Sequence, residues 1–326
     1  MASSVAVDST GVYVVGEAYA ALPGQCDAGE GDVFARKYTV DGDELWTRQF
    51  GTSGPDSTSG VAVDASGVYL VGSLGTSALL ARFEKATAVV SESKPRILWE
   101  CVLNAASYLG GGVAPGEIVT IFGSAMGPSQ LTPHRVTGPG RLPTELAETR
   151  ILFNGAPAPL LYVSERQSSA IVPYGVAGQG WVDVQVEYQG VRSDAVTVPV
   201  LDVRPGIFTA RGEAAIFHED GSLNSASNRA QRGSVIVVYA TGEGLTDPPG
   251  VEGQILGEVL PRPKAPVAAA FWDGRNSVVK AEVLYAGGVS GFAGLFQVRV
   301  RVPAEGEGYL EISVGRWRER VTVAVR

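Results

Sequence analysis

Apolar and polar positions alternate along most of this chain in short runs with a period of two. From Trp181 to Tyr188, Val182, Val184 and Val186 point one way, and Asp183, Gln185 and Glu187 the other. That pattern predicts a strand with one buried and one wet face. Leu310, Ile312 and Val314 form a similar inner set opposite Glu311 and Ser313. The longest apolar stretches, such as Val235 to Ala240, have strand length and fall well short of the ~18 residues of a membrane span. Turn signals separate the runs at Asn154-Gly155, Gln189-Gly190 and Asp273-Gly274. An Asn-Gly pair accepts the positive φ angles of a type I′ turn, which a β-branched residue resists. Gly123 and Gly127, after Ile121-Phe122, predict a bend or a close backbone approach. Short strands spaced by such turns predict β-sandwiches.

The pattern also repeats. Ser4-Val-Ala-Val-Asp-Ser-Thr-Gly-Val-Tyr-Val-Val-Gly16 returns 56 residues later as Gly60-Val-Ala-Val-Asp-Ala-Ser-Gly-Val-Tyr-Leu-Val-Gly72. Each copy reads as strand, tight turn, strand, with Asp8 and Asp64 starting the turns. Between the copies, an Asp41-Gly42 hairpin signal separates two further strand patterns, and Ala78–Glu84 matches the Phe34–Tyr38 segment. On a longer period, Leu103-Asn-Ala-Ala-Ser107 returns as Leu223-Asn-Ser-Ala-Ser227. Gly116–Gly127 returns as Gly233–Gly244, Leu161-Tyr162 as Leu284-Tyr285, and Gly180–Tyr188 as Gly308–Gly315. Tyr162 and Tyr285 are read as core anchors whose hydroxyls reach backbone partners.

The first repeat resembles bacterial β-propeller repeats of the SBBP type. Only about one and a half units are present, so its edges are left exposed or covered by neighbours. From Val102 onward the chain is similar to an uncharacterised C-terminal domain of secreted proteins in Solibacter and related acidobacteria. The matching stretches are Val102–Tyr108, Val113–Gly123, Asn154–Val163, Val172–Gly175, Pro205–Phe208, Gly221–Asn228, Val283–Gly287 and Val302-Pro303. The Pro-Gly-x-x-Val opening also resembles IPT/TIG-type immunoglobulin-like domains. The resemblance implies a fold and no activity. The expected architecture is all-β: two tandem immunoglobulin-like β-sandwiches preceded by a small antiparallel segment resembling one or two propeller blades. The expected divisions are residues 1–88 for the propeller repeats, 89–100 for a linker, 101–206 for the first sandwich and 207–326 for the second.

Composition narrows the chemistry. Of 326 residues, 42 are glycine and 19 proline, which the turns absorb; 45% are hydrophobic, enough for a real core. A net charge of −8 argues against nucleic acid as partner, and Arg316-Trp-Arg-Glu-Arg320 is read as a strand with a solvated face. The start, Met1-Ala-Ser-Ser-Val-Ala-Val-Asp8, begins mid-pattern and has no signal core, so the chain is expected to be a piece of a longer protein. Cys26 and Cys101 are the only cysteines; two unpaired small hydrophobes are the favoured reading over one disulfide. No zinc spacing, calcium loop or nucleotide-binding motif is present, so no metal and no cofactor is expected. Asp41, Asp43 and Glu44 are read as part of the hairpin.

No catalytic residue stands out. Gly51–Pro55 and Gly288–Phe292 each fail as a nucleophile elbow. His134, in a Pro/Gly-rich loop, and His218, at a turn, are read as surface histidines. Trp181 and Tyr309 are the candidate binding residues: they hold equivalent positions on the polar faces of their strands. Exposed aromatics stack on sugar rings or anchor protein partners, but packing at a domain junction or under a loop is the favoured reading. The expected function is a non-catalytic scaffold or adhesion module, secreted or at the cell surface. Its expected partner is a polysaccharide or protein, with no nucleic acid and no membrane span. A hydrolase with a site between the domains is the alternative.

Overall fold

The computed structural model describes residues 1–20, 22, 25–26, 31–51, 55–75, 77–83, 85, 94–135, 140–210, 213–272, 278–305 and 308–326. The described chain is all-β apart from a 3-10 turn at Tyr174–Val176. No helix among the described residues is long and apolar enough to cross a membrane.

The 56-residue repeat builds two small antiparallel sheets. The first pairs β1 (Ala2–Asp8), β2 (Gly11–Ala18), β3 (Asp32–Tyr38) and β4 (Glu44–Phe50) in that order. The second pairs β5 (Asp56–Asp64), β6 (Gly67–Leu74) and β7 (Ser77–Phe83). The turns form as the sequence predicts. Asp8 Oδ1 accepts bonds of 2.7 Å from the Thr10 amide and hydroxyl, and Thr10 Oγ1 lies 2.7 Å from the Tyr13 hydroxyl. Asp64, Ser66 and Tyr69 repeat the arrangement 56 residues later. The carboxylate ties down each turn locally, which explains Asp64; Asp8 also pairs with Lys85 of the second repeat. Thr39 and Asp43 close the hairpin around Asp41-Gly42. The two sheets share one core of Val15, Val33, Ala35, Phe50 and Leu70.

The next unit is a two-sheet sandwich. One sheet orders Thr132–Pro133, Leu160–Val163, Gln167–Ile171, Ile118–Ser124 and Arg96–Asn104; the other centres on Thr149–Phe153 and Trp181–Tyr188. Val119 and Ile121 meet Phe153, Val182, Val184 and Val186 in the core. Asn154 and Gly155 have φ of 48° and 80°, the two positive angles of the expected turn; Gln189 and Gly190 match them. A Cβ on Gly123 would collide with the Arg96 carbonyl and with Met126 Sδ, so the close backbone approach is real. The Asp273-Gly274 turn lies outside the described residues.

In the second sandwich one long strand serves both sheets. The Val278 end of Val278–Gly288 pairs with Val267–Trp272, and the Gly288 end pairs with Phe296–Arg301. The register shifts between Val283 and Tyr285, and such a bulge bends a strand from one sheet to the next. Leu310, Ile312 and Val314 fill the core with Ile236, Val238 and Phe296.

Two readings need correction. The strand Arg96–Asn104 starts inside the expected linker; residues 89–93 of that linker are outside the described residues. Cys26 and Cys101 form a disulfide, with Cα atoms 5.5 Å apart. The ladder of Arg96–Asn104 is interrupted between Ile97 and Val102, which frees Cys101 to face the first sheet's loop. A separation of 75 residues carries no trace of that proximity.

Candidate functional site

Gly180 leads into Trp181–Tyr188, whose inner valines anchor the strand and leave its other face to water. Trp181 is 63% exposed and sits opposite Pro199. Beside it, Asp183 accepts a 2.6 Å bond from Thr197 Oγ1. Tyr309, 44% exposed, opens the corresponding strand of the second sandwich, between Trp272 and Thr322. Next along the outer face, Arg320 stacks 4.1 Å from the Trp272 ring centre and donates to Glu311 at 2.9 Å. Arg318 reaches the same carboxylate at 3.7 Å. A cation over an aromatic face and a cross-strand ion pair fix these side chains. The result is a row of aromatic and charged groups held flat on a sheet. Arg318 and Arg320 occupy the solvated face expected of that strand. Against the favoured expectation of packing at a junction or under a loop, no described residue buries Trp181 or Tyr309, because alternation carries both rings away from the core. They sit on separate sandwiches.

Tyr285 donates to the Gly288 carbonyl at 3.1 Å, as expected, whereas the Tyr162 hydroxyl accepts from the Gln167 side chain at 2.6 Å. Both rings are only half-buried, so neither is a core anchor.

A second concentration of chemistry lies where the sandwiches meet. Ile118, Leu142, Ile171 and Ala293 pack there with Phe208 and Ile255. Arg204 crosses this joint and donates to Glu117 Oε1 at 3.0 Å and to the Leu109 carbonyl at 2.6 Å; its contact with the Gly110 carbonyl is shorter still. Both charges are almost fully buried. Burial raises the Glu117 pKa, and the Arg204 guanidinium opposes that shift. Asn104 donates to the Arg204 carbonyl and accepts from the amides of Ala106 and Ser107. The Ile118 amide donates to Thr241 Oγ1, which donates to the Gly294 carbonyl, both at 2.8 Å.

Glu243 lies close by, buried, with no hydrogen-bond partner for Oε2. Desolvation lifts its carboxyl to about 8. It lines a small cavity of about 80 Å³ with Tyr174, Gly250 and Leu256. The Tyr174 ring is wedged between Gly116 and Gly250, where a Cβ would collide with it. Burial first, then the carboxylates of Glu243 and Glu252, push the Tyr174 hydroxyl well above its ordinary pKa. The sequence reading missed this group. The repeat sets Glu243 against Met126, and a carboxylate at a methionine's position was the available signal.

His134 lines an apolar cavity of about 440 Å³ at the same joint, with Phe208, Tyr239 and Phe292. Its Nδ1 lies 2.9 Å from the Leu161 carbonyl, and among the described residues no Ser, Asp or Glu lines the cavity with it. The half-buried His218 ends the strand Ile216–His218 and has its Nε2 3.1 Å from the Asn228 carbonyl. Among the described residues, no three His, Cys, Asp or Glu side chains converge on a metal-sized site.

No family model and no curated protein matches the chain. Solved structures similar to it include the D00-D0 domain of intimin, at 13% identity over 71% of this chain and 99% of that one, with a TM-score of 0.19. The I9-I11 tandem of titin matches at 9% identity over 99% and 96%, with a TM-score of 0.21. Invasin, a bacterial integrin-binding protein, matches at 10% identity over 99% and 58%, with a TM-score of 0.18. Scores this low carry no argument about partners or activity.

Proposed function

We propose that this chain is a non-catalytic scaffold of the cell surface or extracellular space that binds carbohydrate or protein through its outward aromatic faces. One observation carries the reading: both sandwiches leave a large ring in water at the same strand position, Trp181 in one and Tyr309 in the other. Such rings give flat apolar area with a polar rim, which suits the face of a sugar or a protein anchor. The Cys26–Cys101 disulfide suits an oxidising compartment. The buried joint holds the sandwiches in one orientation, as a rigid presenting surface requires. The resemblance to a domain of secreted acidobacterial proteins and to propeller repeats fits the same reading. A hydrolase site gains no constellation from His134 or His218 among the described residues. Glycan arrays and pull-downs from envelope extract test the proposal: binding that weakens in Trp181→Ala or Tyr309→Ala supports it. Turnover of ester or glycoside substrates without any binding overturns it.

A further inference from the structure

The two N-terminal sheets stack in one sense. The front face of the first sheet, with Tyr13, Val15 and Ala35, packs on the back face of the second, with Val61, Leu70, Leu79 and Phe83. Because the sheets are repeats, each also carries the complementary face. The front face of the second sheet presents Tyr69, Val71 and Leu80 at the positions of Tyr13, Val15 and Ala35. The back face of the first presents Val5, Val14, Phe34 and Tyr38 at the positions of Val61, Leu70, Leu79 and Phe83. Tyr13 and Val15 are fully buried, whereas Val71 and Leu80 are 45% and 72% exposed; on the first sheet's back face Val5 and Val7 are 59% and 62% exposed, while Ala20 and Leu22 cover Gln49 beside Phe34.

We propose that a second copy of this chain covers these faces, its first sheet's back face docking on this copy's second sheet's front face. The contact inside the chain is the template, and it joins unlike surfaces. Contacts of that kind propagate head to tail, into a ring or a filament. The contact between copies is weaker than the internal one for two reasons. The internal contact has a Lys85–Asp8 ion pair; between copies Asp64 takes the place of Asp8, and Val40 that of Lys85. Among the described residues, the second sheet's front face also has no counterpart of β4, which supplies Phe50 to the internal core.

Sedimentation equilibrium of the full chain over a wide concentration range tests this. The average mass is expected to rise above that of one chain. Val7→Glu blocks the back face and Leu80→Glu the front face, both at exposed positions that spare the fold. Each variant alone is expected to stay monomeric, and a mixture of the two to form a dimer that grows no further. A wild-type chain that stays monomeric overturns the proposal, since the faces then have another occupant. So does association that survives either single variant, or a mixture that fails to dimerise while the wild type associates.

Discussion

Met126 fills the core of the first sandwich; at the corresponding position of the second, Glu243 is buried with an unpartnered carboxylate oxygen. Glu117 sits in a buried ion pair with Arg204, while the hydroxyl of its counterpart Ser234 donates to the nearby Gln231 carbonyl. One element is shared. Asn104 bonds the Arg204 carbonyl, and Asn224 bonds the amide and carbonyl of Ala324, so in each copy an asparagine clasps the strand exit 100 residues on. The contrast teaches that the repeat preserves what closes a sandwich and varies what faces the joint.

Breaking the joint has the largest expected effect. Glu117→Ala strands the buried Arg204 charge and should cost about 3–5 kcal/mol in urea unfolding. Ser234→Ala, on an exposed turn, should stay within about 0.5 kcal/mol. The disulfide restrains only the first sandwich, against the sheets before it. Cys26→Ser should cost about 2–4 kcal/mol, seen as a lower thermal midpoint without added reductant. Asn104→Ala and Asn224→Ala should each cost about 1–3 kcal/mol, because both leave backbone groups without their partner. Equal losses would confirm the shared clasp.

Glu243→Met, which copies the first sandwich into the second, should stabilise by about 1–2 kcal/mol near neutral pH. The sign follows from linkage. A carboxyl whose folded pKa is raised contributes stability below its unfolded value, and that contribution is lost as pH rises through about 8. The wild type should therefore weaken between about pH 5 and 8 more than the variant, as read by thermal midpoints across that range.

Local features were legible because their causes are local. The alternation of Val182, Val184 and Val186 gives a strand, and Gln189-Gly190 gives its turn. Asp8 and Asp64 each bond within three residues, so their role in the turn is readable from one short segment; the Asp8–Lys85 pair, 77 positions apart, is not. What the sequence hid depends on distant contacts. Arg204 and Glu117 are 87 positions apart, and Cys26 and Cys101 are 75. The aromatics show the limit from the other side: alternation placed Trp181 and Tyr309 on polar faces, yet only the packed structure shows that no described neighbour buries them.

The smallest expected stability effect belongs to those rings, and it bears on the central claim. Trp181→Ala and Tyr309→Ala should each leave unfolding within about 0.5 kcal/mol of the wild type, since the rings are in water. Binding to the glycan or envelope protein captured by the wild-type chain should nevertheless weaken about tenfold or more in at least one variant. Wild-type affinity in both variants would contradict the account.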